Sequence, residues 1–376
     1  MRAFNEKIMN FFSRAFNRLH TTPRLPPEAV RDAIFAFFAE MTAKGCSQHE
    51  PIVRLQQFLK QNHIIDVVLS YYLKNRKLLC EQNQQMLLSG LAQALANTGV
   101  TQIDLSHNDI GPDAVQAFAE DLAHTGVTHA NFAFNNLGPE GAKRLGMALK
   151  KTFLKQLILS VNNLGPQGVD FFAQGLKGSR LVQLDLGANN LGLEGTQALA
   201  PILQETALIK LNMTANGIGV AGARCLGQAL KATALQRVIL TANALGNEGA
   251  IEFGKTLQDT ALNNINLVAN DIDALGACEF VKTLINTHVT HLDLSHNPIG
   301  AQGAIKLARS LKDTPVTHIA LRGNELRLNG AIEFVHALNG TQVRNIDLRD
   351  NAMHLDSDPM FQQALNAAGI TQENGY

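Results

Sequence analysis

Asparagine recurs every 27 residues, ten times without a slip, at Asn108, Asn135, Asn162, Asn189, Asn216, Asn243, Asn270, Asn297, Asn324 and Asn351. A chain folded around one closed core has no reason to keep such a period. A fixed repeat of about 20 to 50 residues marks a solenoid, in which each unit buries its apolar face against its neighbours. That overrides the two or three domains that 376 residues would otherwise suggest.

The rest of the unit keeps step with the asparagine. Eight residues before it stands Val or Leu, from Val100 and Val127 to Val343. Five and three before it stand pairs such as Leu157 and Leu159, or Leu292 and Leu294, whose alternation is that of a short strand with one buried face. Gly usually follows three residues after the asparagine, as at Gly111, Gly138 and Gly165. The second half of each unit has helical spacing, with Leu149 four residues after Leu145 and Leu176 four after Phe172. A longer cycle of three units lies on top: units 2, 5 and 8 share openings at Gly141, Gly222 and Gly303 and close on Thr152, Thr233 and Thr314. Duplication of an 81-residue triplet explains it, and it places Ile158, Ile239 and Ala320 at equivalent outward strand positions.

The pattern L-x-x-L-x-L-x-x-N-x-L, followed by G-x-x-G-A and a helix, resembles the leucine-rich repeats of the ribonuclease-inhibitor class over residues 100–369. The resemblance implies an α/β fold, a right-handed horseshoe solenoid with parallel strands concave and helices convex. The asparagines then form a structural ladder, each buried amide bridging to the next coil; leaving such groups bare costs about 1–3 kcal/mol per site. The expected organisation is a basic amphipathic helix over 1–24 and a helical region over 25–85, together an N-terminal all-helical cap. A degenerate capping half-repeat follows over 86–99, then ten repeats over 100–369 and a tail over 370–376. Helices are expected at 28–43, with Ala33, Ile34, Phe37, Phe38 and Met41 inward, and at 49–61 and 63–78. The last repeat decays, with His354, Ser357 and Asp358 in place of glycines and alanine, as expected of a closing cap.

Outward strand positions lie six, four, two and one before each asparagine. Their middle is small, as at Gly187, Ala188, Thr214 and Ala215, with Lys210 and Arg237 at its border. Toward the C-terminal end the face turns polar: His291, Asp293, His296, His318, Arg322, Asn345, Asp347, Arg349 and Asp350. That cluster is the candidate protein-binding surface, because arginines dominate interface energetics. A zinc site on His291, His318 and Asp293 is chemically conceivable, but an open sheet supplies little second-shell support, and surface histidines are the simpler reading. Gly249-Ala-Ile-Glu-Phe-Gly-Lys-Thr256 matches G-x-x-x-x-G-K-[ST], yet it keeps repeat register inside a helix rather than joining strand to helix. No catalytic constellation is recognisable, so no catalytic, cofactor or metal residues are expected and the chain reads as a non-enzyme.

Lys plus Arg and Asp plus Glu both number 32, so net charge is zero and no nucleic-acid partner is expected. Residues 1–80 hold 12 basic against 6 acidic residues. Phe4, Ile8, Phe11, Phe12, Phe16 and Leu19 make one apolar stripe accompanied by Arg2, Lys7, Arg14 and Arg18. Such a helix either covers the first coil of the solenoid or lies on an anionic membrane surface through residues 1–20. The four scattered cysteines fit a reducing, cytoplasmic compartment. The segment Leu25 to Phe38 is similar to the start of an F-box, one residue out of register, which would imply an adaptor for a ubiquitin ligase. Among owners of such repeats, immune receptors need a nucleotide-binding module and the Ran GTPase activator an acidic tail. The chain looks most like bacterial effectors of the Legionella type, secreted into a host cytoplasm. The expected function is a monomeric protein-binding scaffold, with the F-box-like adaptor and the membrane-surface protein as alternatives.

Overall fold

Each repeat turns its apolar alternation into a three-residue strand and then a helix. The structure, a computed structural model, describes residues 26–44, 49–69, 84–351 and 355–372, and it divides into two units at Asn162. The expected helix over 1–24, with its membrane reading, and the tail beyond Gln372 lie outside the described residues, as do Cys46, Cys80 and His354.

The first unit contains α1 (Pro27–Lys44), α2 (His49–Gln61), β1 (Asp66–Val68), α3 (Gln84–Leu95), β2 (Gln102–Asp104), α4 (Pro112–Leu122), β3 (His129–Asn131), α5 (Gly138–Leu149) and β4 (Gln156–Ile158). Strands β1 to β4 pair in sequence order and in parallel. Helix α1 buries Ala33, Ile34, Phe37, Phe38 and Met41. Its target is α3, which approaches so closely that a Cβ at Gly90 would lie 2.8 Å from Met41 Cε and 3.3 Å from Phe37 Cζ. The apolar stripe of α1 is therefore spent on covering the first coil.

The stretch expected to be a helix over 63–78 instead carries strand β1, with Val67 paired to Ile103. Its buried residues are Ile64, Val67 and Leu69, the L-x-x-L-x-L half of a repeat. The missed signal was a strand without its asparagine, since the equivalent position falls at Tyr72. The offset to the next strand is also 36 residues rather than 27. An unpaired parallel edge is a liability, and β1 covers the edge of β2.

The second unit runs α6 (Gly165–Leu176), β5 (Gln183–Asp185), α7 (Gly192–Leu203), β6 (Lys210–Asn212), α8 (Gly219–Ala229), β7 (Arg237–Ile239), α9 (Gly246–Gly254), β8 (Asn264–Asn266) and α10 (Ala274–Lys282). It continues through β9 (His291–Asp293), α11 (Gly300–Ser310), β10 (His318–Ala320), α12 (Arg327–Ala337), β11 (Asn345–Asp347), a 3-10 turn (Leu355–Ser357), α13 (Pro359–Ala368) and β12 (Thr371–Gln372). Strands β5 to β12 are again parallel neighbours in sequence order. In the closing helix α13, Asp358 replaces the glycine logic with an ordinary cap, its side chain accepting from the Met360 and Phe361 N–H groups.

The central residue of each strand from β1 to β11 is buried and its flanking residues are half-buried or exposed, apart from Ala320 and Asp347, which are also buried. Phe172, Phe253, Phe280 and Phe334 fill the space between helix and strand with no exposure at all. Burying one such side chain is worth roughly 1.5–3 kcal/mol. Helices occupy one side of each sheet, and no described element covers the other.

The chain leaves each strand from β2 to β11 through a residue in the left-handed region. His107, Phe134, Val161, Ala188, Ala215, Ala242, Ala269, His296, Gly323 and Asp350, one before each asparagine, have φ between 50 and 61°. For a residue with a Cβ this costs about 1–2 kcal/mol, and the asparagine offsets it. Asn216 Nδ2 donates to the carbonyls of Leu186 (3.0 Å), Met213 (3.0 Å) and Thr214 (3.2 Å). Its Oδ1 accepts from the N–H groups of Asn189 (3.0 Å) and Leu191 (3.3 Å) in the preceding coil. Asn135, Asn243 and Asn270 repeat the arrangement.

One rung is broken. Pro298 follows Asn297, where most repeats place a second left-handed residue such as Asn190, Ala244 or Asp271. Proline cannot take that φ. The Ile299 N–H turns to the Asn297 carbonyl at 2.8 Å, and Asn324 Oδ1 is left buried without a partner.

A second column was not foreseen as such. Thr125, Thr152, Thr206, Thr233, Thr260, Thr287, Thr314 and Thr341 each donate from Oγ1 to the carbonyl three residues earlier, at 2.7–2.8 Å. They satisfy a carbonyl that the helix C-terminus leaves open. Threonine ten residues before the asparagine was the signal, visible in nearly every repeat.

Candidate functional site

The strand face that no helix covers is built by two rows. The outer row, six before each asparagine, runs in register through Lys210, Arg237, Asn264, His291, His318 and Asn345. The inner row, two residues on, holds Asp185, Asn212, Ile239, Asn266, Asp293, Ala320 and Asp347. Between them lies a groove of about 360 Å³ lined by Arg237, Asn264, Asn266, His291, Asp293, His318, Asn345 and Asp347 among others. Of the nine residues proposed from sequence, five therefore meet in one groove: His291, Asp293, His318, Asn345 and Asp347. His296, Arg322, Arg349 and Asp350 stand beside it on the turns that leave the strands.

The inner row is largely occupied in holding the turns. Asp185, Asn212, Asn266, Asp293 and Asp347 each accept the backbone N–H two residues on, at 2.8–3.1 Å. Asn266 Nδ2 also donates to Asp293 Oδ2 at 3.0 Å. Burial pushes the Asp293 carboxyl above its ordinary range, with the Ser295 hydrogen bonds opposing and the Asp347 charge adding to the rise. Burial also pulls Asp347 upward, but the Arg349 guanidinium and N–H outweigh it and hold that carboxyl below its usual value.

The two arginines differ in availability. Arg349 clasps Asp347 through two hydrogen bonds, Nε to Oδ1 at 2.9 Å and Nη2 to Oδ2 at 2.6 Å, and Asp347 is only 6% exposed. Arg322 pairs with Asp350, and both side chains are about half exposed, at 44% and 54%. An exposed pair of that kind is worth about 0–1 kcal/mol, so little holds the Arg322 guanidinium on Asp350. His296 lies over Gly323, where an added Cβ would sit 2.5 Å from its Nδ1.

The rings of His291 and His318 stack with centroids 4.0 Å apart and planes 10° from parallel. Their Nδ1 atoms lie 2.9 and 2.8 Å from the hydroxyls of Thr290 and Thr317. Asn345 Nδ2 points at His318 Nε2 from 2.6 Å. Both Nδ1 atoms and His318 Nε2 thus have protein partners. Among the described residues no three His, Cys, Asp or Glu side chains come together as a metal-binding group.

Sequence sets Arg237 beside the small middle of the face and outside the C-terminal cluster. It is part of the groove, and its Nε is buried without a hydrogen-bond partner. A buried donor left bare costs about 1–3 kcal/mol. Orphaned atoms of this kind depend on rotamers that repeat periodicity does not report.

The phosphate-loop look-alike lies within α9 and its C-cap, with no strand running into it. Phe253 is fully buried, and Lys255 is exposed, its Nζ 2.7 Å from Glu252 Oε1. Gly254 is required by packing, since a Cβ there would meet Thr283 Oγ1 and lie 2.9 Å from Phe280 Cδ2. Thr256 plays the part of Thr283 one repeat earlier, set against Gly227, with its hydroxyl bonded to the Phe253 carbonyl at 2.6 Å. Gly254 and Thr256 thus have packing reasons, and Lys255 is an exposed residue paired with Glu252.

The family model described as leucine-rich repeat matches residues 96–119 and 286–308. No curated protein matches the chain by sequence. Solved structures similar to it include the yeast Rad7–Elc1 complex, at 11% identity and a TM-score of 0.43 over 100% of this chain and 97% of that one. Another is an internalin, inlF, of Listeria monocytogenes strain 4b F2365, at 14% identity and 0.44 over 95% and 99%. Strand, asparagine turn and helix recur through the described repeats, an architecture typical of non-enzymatic protein-binding scaffolds. The chain is a leucine-rich-repeat protein.

Proposed function

We propose that the chain is a non-enzymatic scaffold that binds a protein partner on the uncovered strand face of its second unit. The observation that carries this reading is the bare face itself. Parallel sheets in α/β proteins ordinarily bury both faces, whereas here the strands from β5 onward have helices on one side only. A surface held by hydrogen-bonded turns loses little ordering entropy when a folded partner docks. Arg322 is the residue best placed to anchor the partner, with His296 and Asp350 beside it, while Arg349 serves mainly to hold Asp347 in place. The architecture's resemblance to effectors delivered into eukaryotic cells makes a host protein the partner class to test first.

The test is proximity labelling in a eukaryotic cell with the full chain, compared with Arg322→Glu alone and with Arg322→Glu plus Arg349→Glu. The single variant is expected to lose the main partner, because the reversed charge repels the acid that Arg322 accepts. Identical partner sets for all three proteins would remove the C-terminal end of the face from consideration.

A further inference from the structure

The outer row of the second unit contains donors and no acid over six neighbouring strands, from Lys210 to Asn345. Two of its members are cations directly opposite one another on β6 and β7, Lys210 and Arg237. Among the described residues neither side chain has a hydrogen-bond or ion-pair partner, in contrast to Arg322 and Arg349 on the same face. Arg237 lines the groove, and its Nε is buried and unpartnered there. The Nε itself is covered, but no carboxylate pairs with the guanidinium, so its charge is left for an anion that enters the groove. Asn264, the next residue in the row, adds an amide.

We propose that Lys210, Arg237 and Asn264 anchor an acidic, extended segment of the protein partner, with one carboxylate on Arg237 in the groove and another on Lys210. This rests on the reading of the uncovered face as the binding face. Alternate side chains of an extended peptide are spaced about 6.6 Å apart, within reach of two long cationic side chains on strands about 4.8 Å apart. The inner-row residues two on from Lys210 and Arg237 are Asn212 and Ile239, while the carboxylates of that row stand on other strands, Asp185 on β5 and Asp293 and Asp347 on β9 and β11. They tolerate discrete carboxylates that stay on the outer row and repel a continuous polyanion, which favours an acidic protein segment over nucleic acid. Zero net charge points the same way.

The full chain is titrated into a fluorescein-labelled decapeptide of alternating Glu and Ser, and binding is read by anisotropy. Saturable binding is expected, weakened about tenfold by Arg237→Gln and similarly by Lys210→Gln. Arg237→Lys should recover part of the loss, and Lys255→Gln on the helical side should change nothing. Thermal melts of each variant confirm that it is folded, and removal of an unpartnered donor gives no reason for unfolding. Absent binding, equal affinity in Arg237→Gln, equal loss in Lys255→Gln, equal binding of the Gln-for-Glu peptide, or tighter binding of a ten-nucleotide thymidine strand would each overturn the proposal. The Arg322→Glu labelling result reads the neighbouring cluster separately, so failure of that cluster leaves the peptide result standing, and the reverse.

Discussion

Replacing Asn216 by Ala is expected to destabilise the chain by about 4 kcal/mol and to split its urea unfolding into two transitions. The side chain makes five hydrogen bonds in a site 2% exposed, three to carbonyls and two from N–H groups of the preceding coil. Alanine supplies no substitute for any of these bonds. Each buried group left bare costs about 1–3 kcal/mol, and relaxation recovers part of the sum. Repeat arrays are held by nearest-neighbour interfaces, so the loss is local. The repeats on either side of Asn216 should then melt separately, visible as an unfolding curve with a lower first midpoint. The exposed Asn263, whose side chain is not used this way, is the control; Asn263→Ala should shift stability by less than about 0.5 kcal/mol. Equal effects at the two positions would show that the ladder is not what holds the turns.

Gly254→Val should destabilise by about 3 kcal/mol, whereas Lys255→Ala, one residue on, should be close to neutral. Helices α9 and α10 approach through Gly254, and the first atom added there collides with the Thr283 hydroxyl. Rotating Thr283 away breaks its 2.6 Å bond to the Phe280 carbonyl, and Phe280 itself is fully buried. Overpacking of this kind costs about 1–3 kcal/mol, and a branched residue lies at the upper end. Lys255 is exposed and pairs with Glu252, a contact worth at most about 1 kcal/mol. Thermal melts of the two variants measure both effects. The same experiment with magnesium and ATP added to the wild type should show no shift in melting temperature. A shift that Lys255→Ala abolished would mean that the glycine-lysine-threonine sequence binds phosphate after all.

Much of the fold was legible because its hydrogen-bonding logic is written in residue types at fixed spacing. An asparagine that must reach two coils admits no substitute, so Asn216 and its nine equivalents mark the turns in plain letters. The alternation of Leu157 with Leu159 then marks the strands, and the four-residue spacing of Phe172 and Leu176 the helices. Strand β1 escaped because it lacks that marker and breaks the spacing. Its Ile64, Val67 and Leu69 also suit a helix face if read without their partner strand. The site was legible only in part. Counting from the asparagine placed the outward residues correctly enough to bring five of nine into one groove. Charge pairing follows no such count. The clasp of Arg349 on Asp347, the Arg322–Asp350 pair and the unsatisfied Arg237 depend on rotamers and on neighbours 27 residues away. The Pro298 effect shows the same limit from the other side. Proline is visible in the sequence, but the orphaned Asn324 Oδ1 appears only once the next coil is in place.

Hydrogen exchange of the turns that follow the strands tests the ladder most directly. Residues 187–191 and 214–218 belong to no strand, and the helices begin only beyond them, so ordinary loops there would exchange within seconds. Because Asn189, Leu191, Asn216 and Ile218 donate their N–H groups to buried asparagine oxygens, those amides should exchange as slowly as the helices that flank them. Mass spectrometry of peptides covering the two turns reads this. Protection equal to that of α7 and α8 is the expected result; rapid exchange across both turns would contradict a column of asparagines as the element that holds the repeats together.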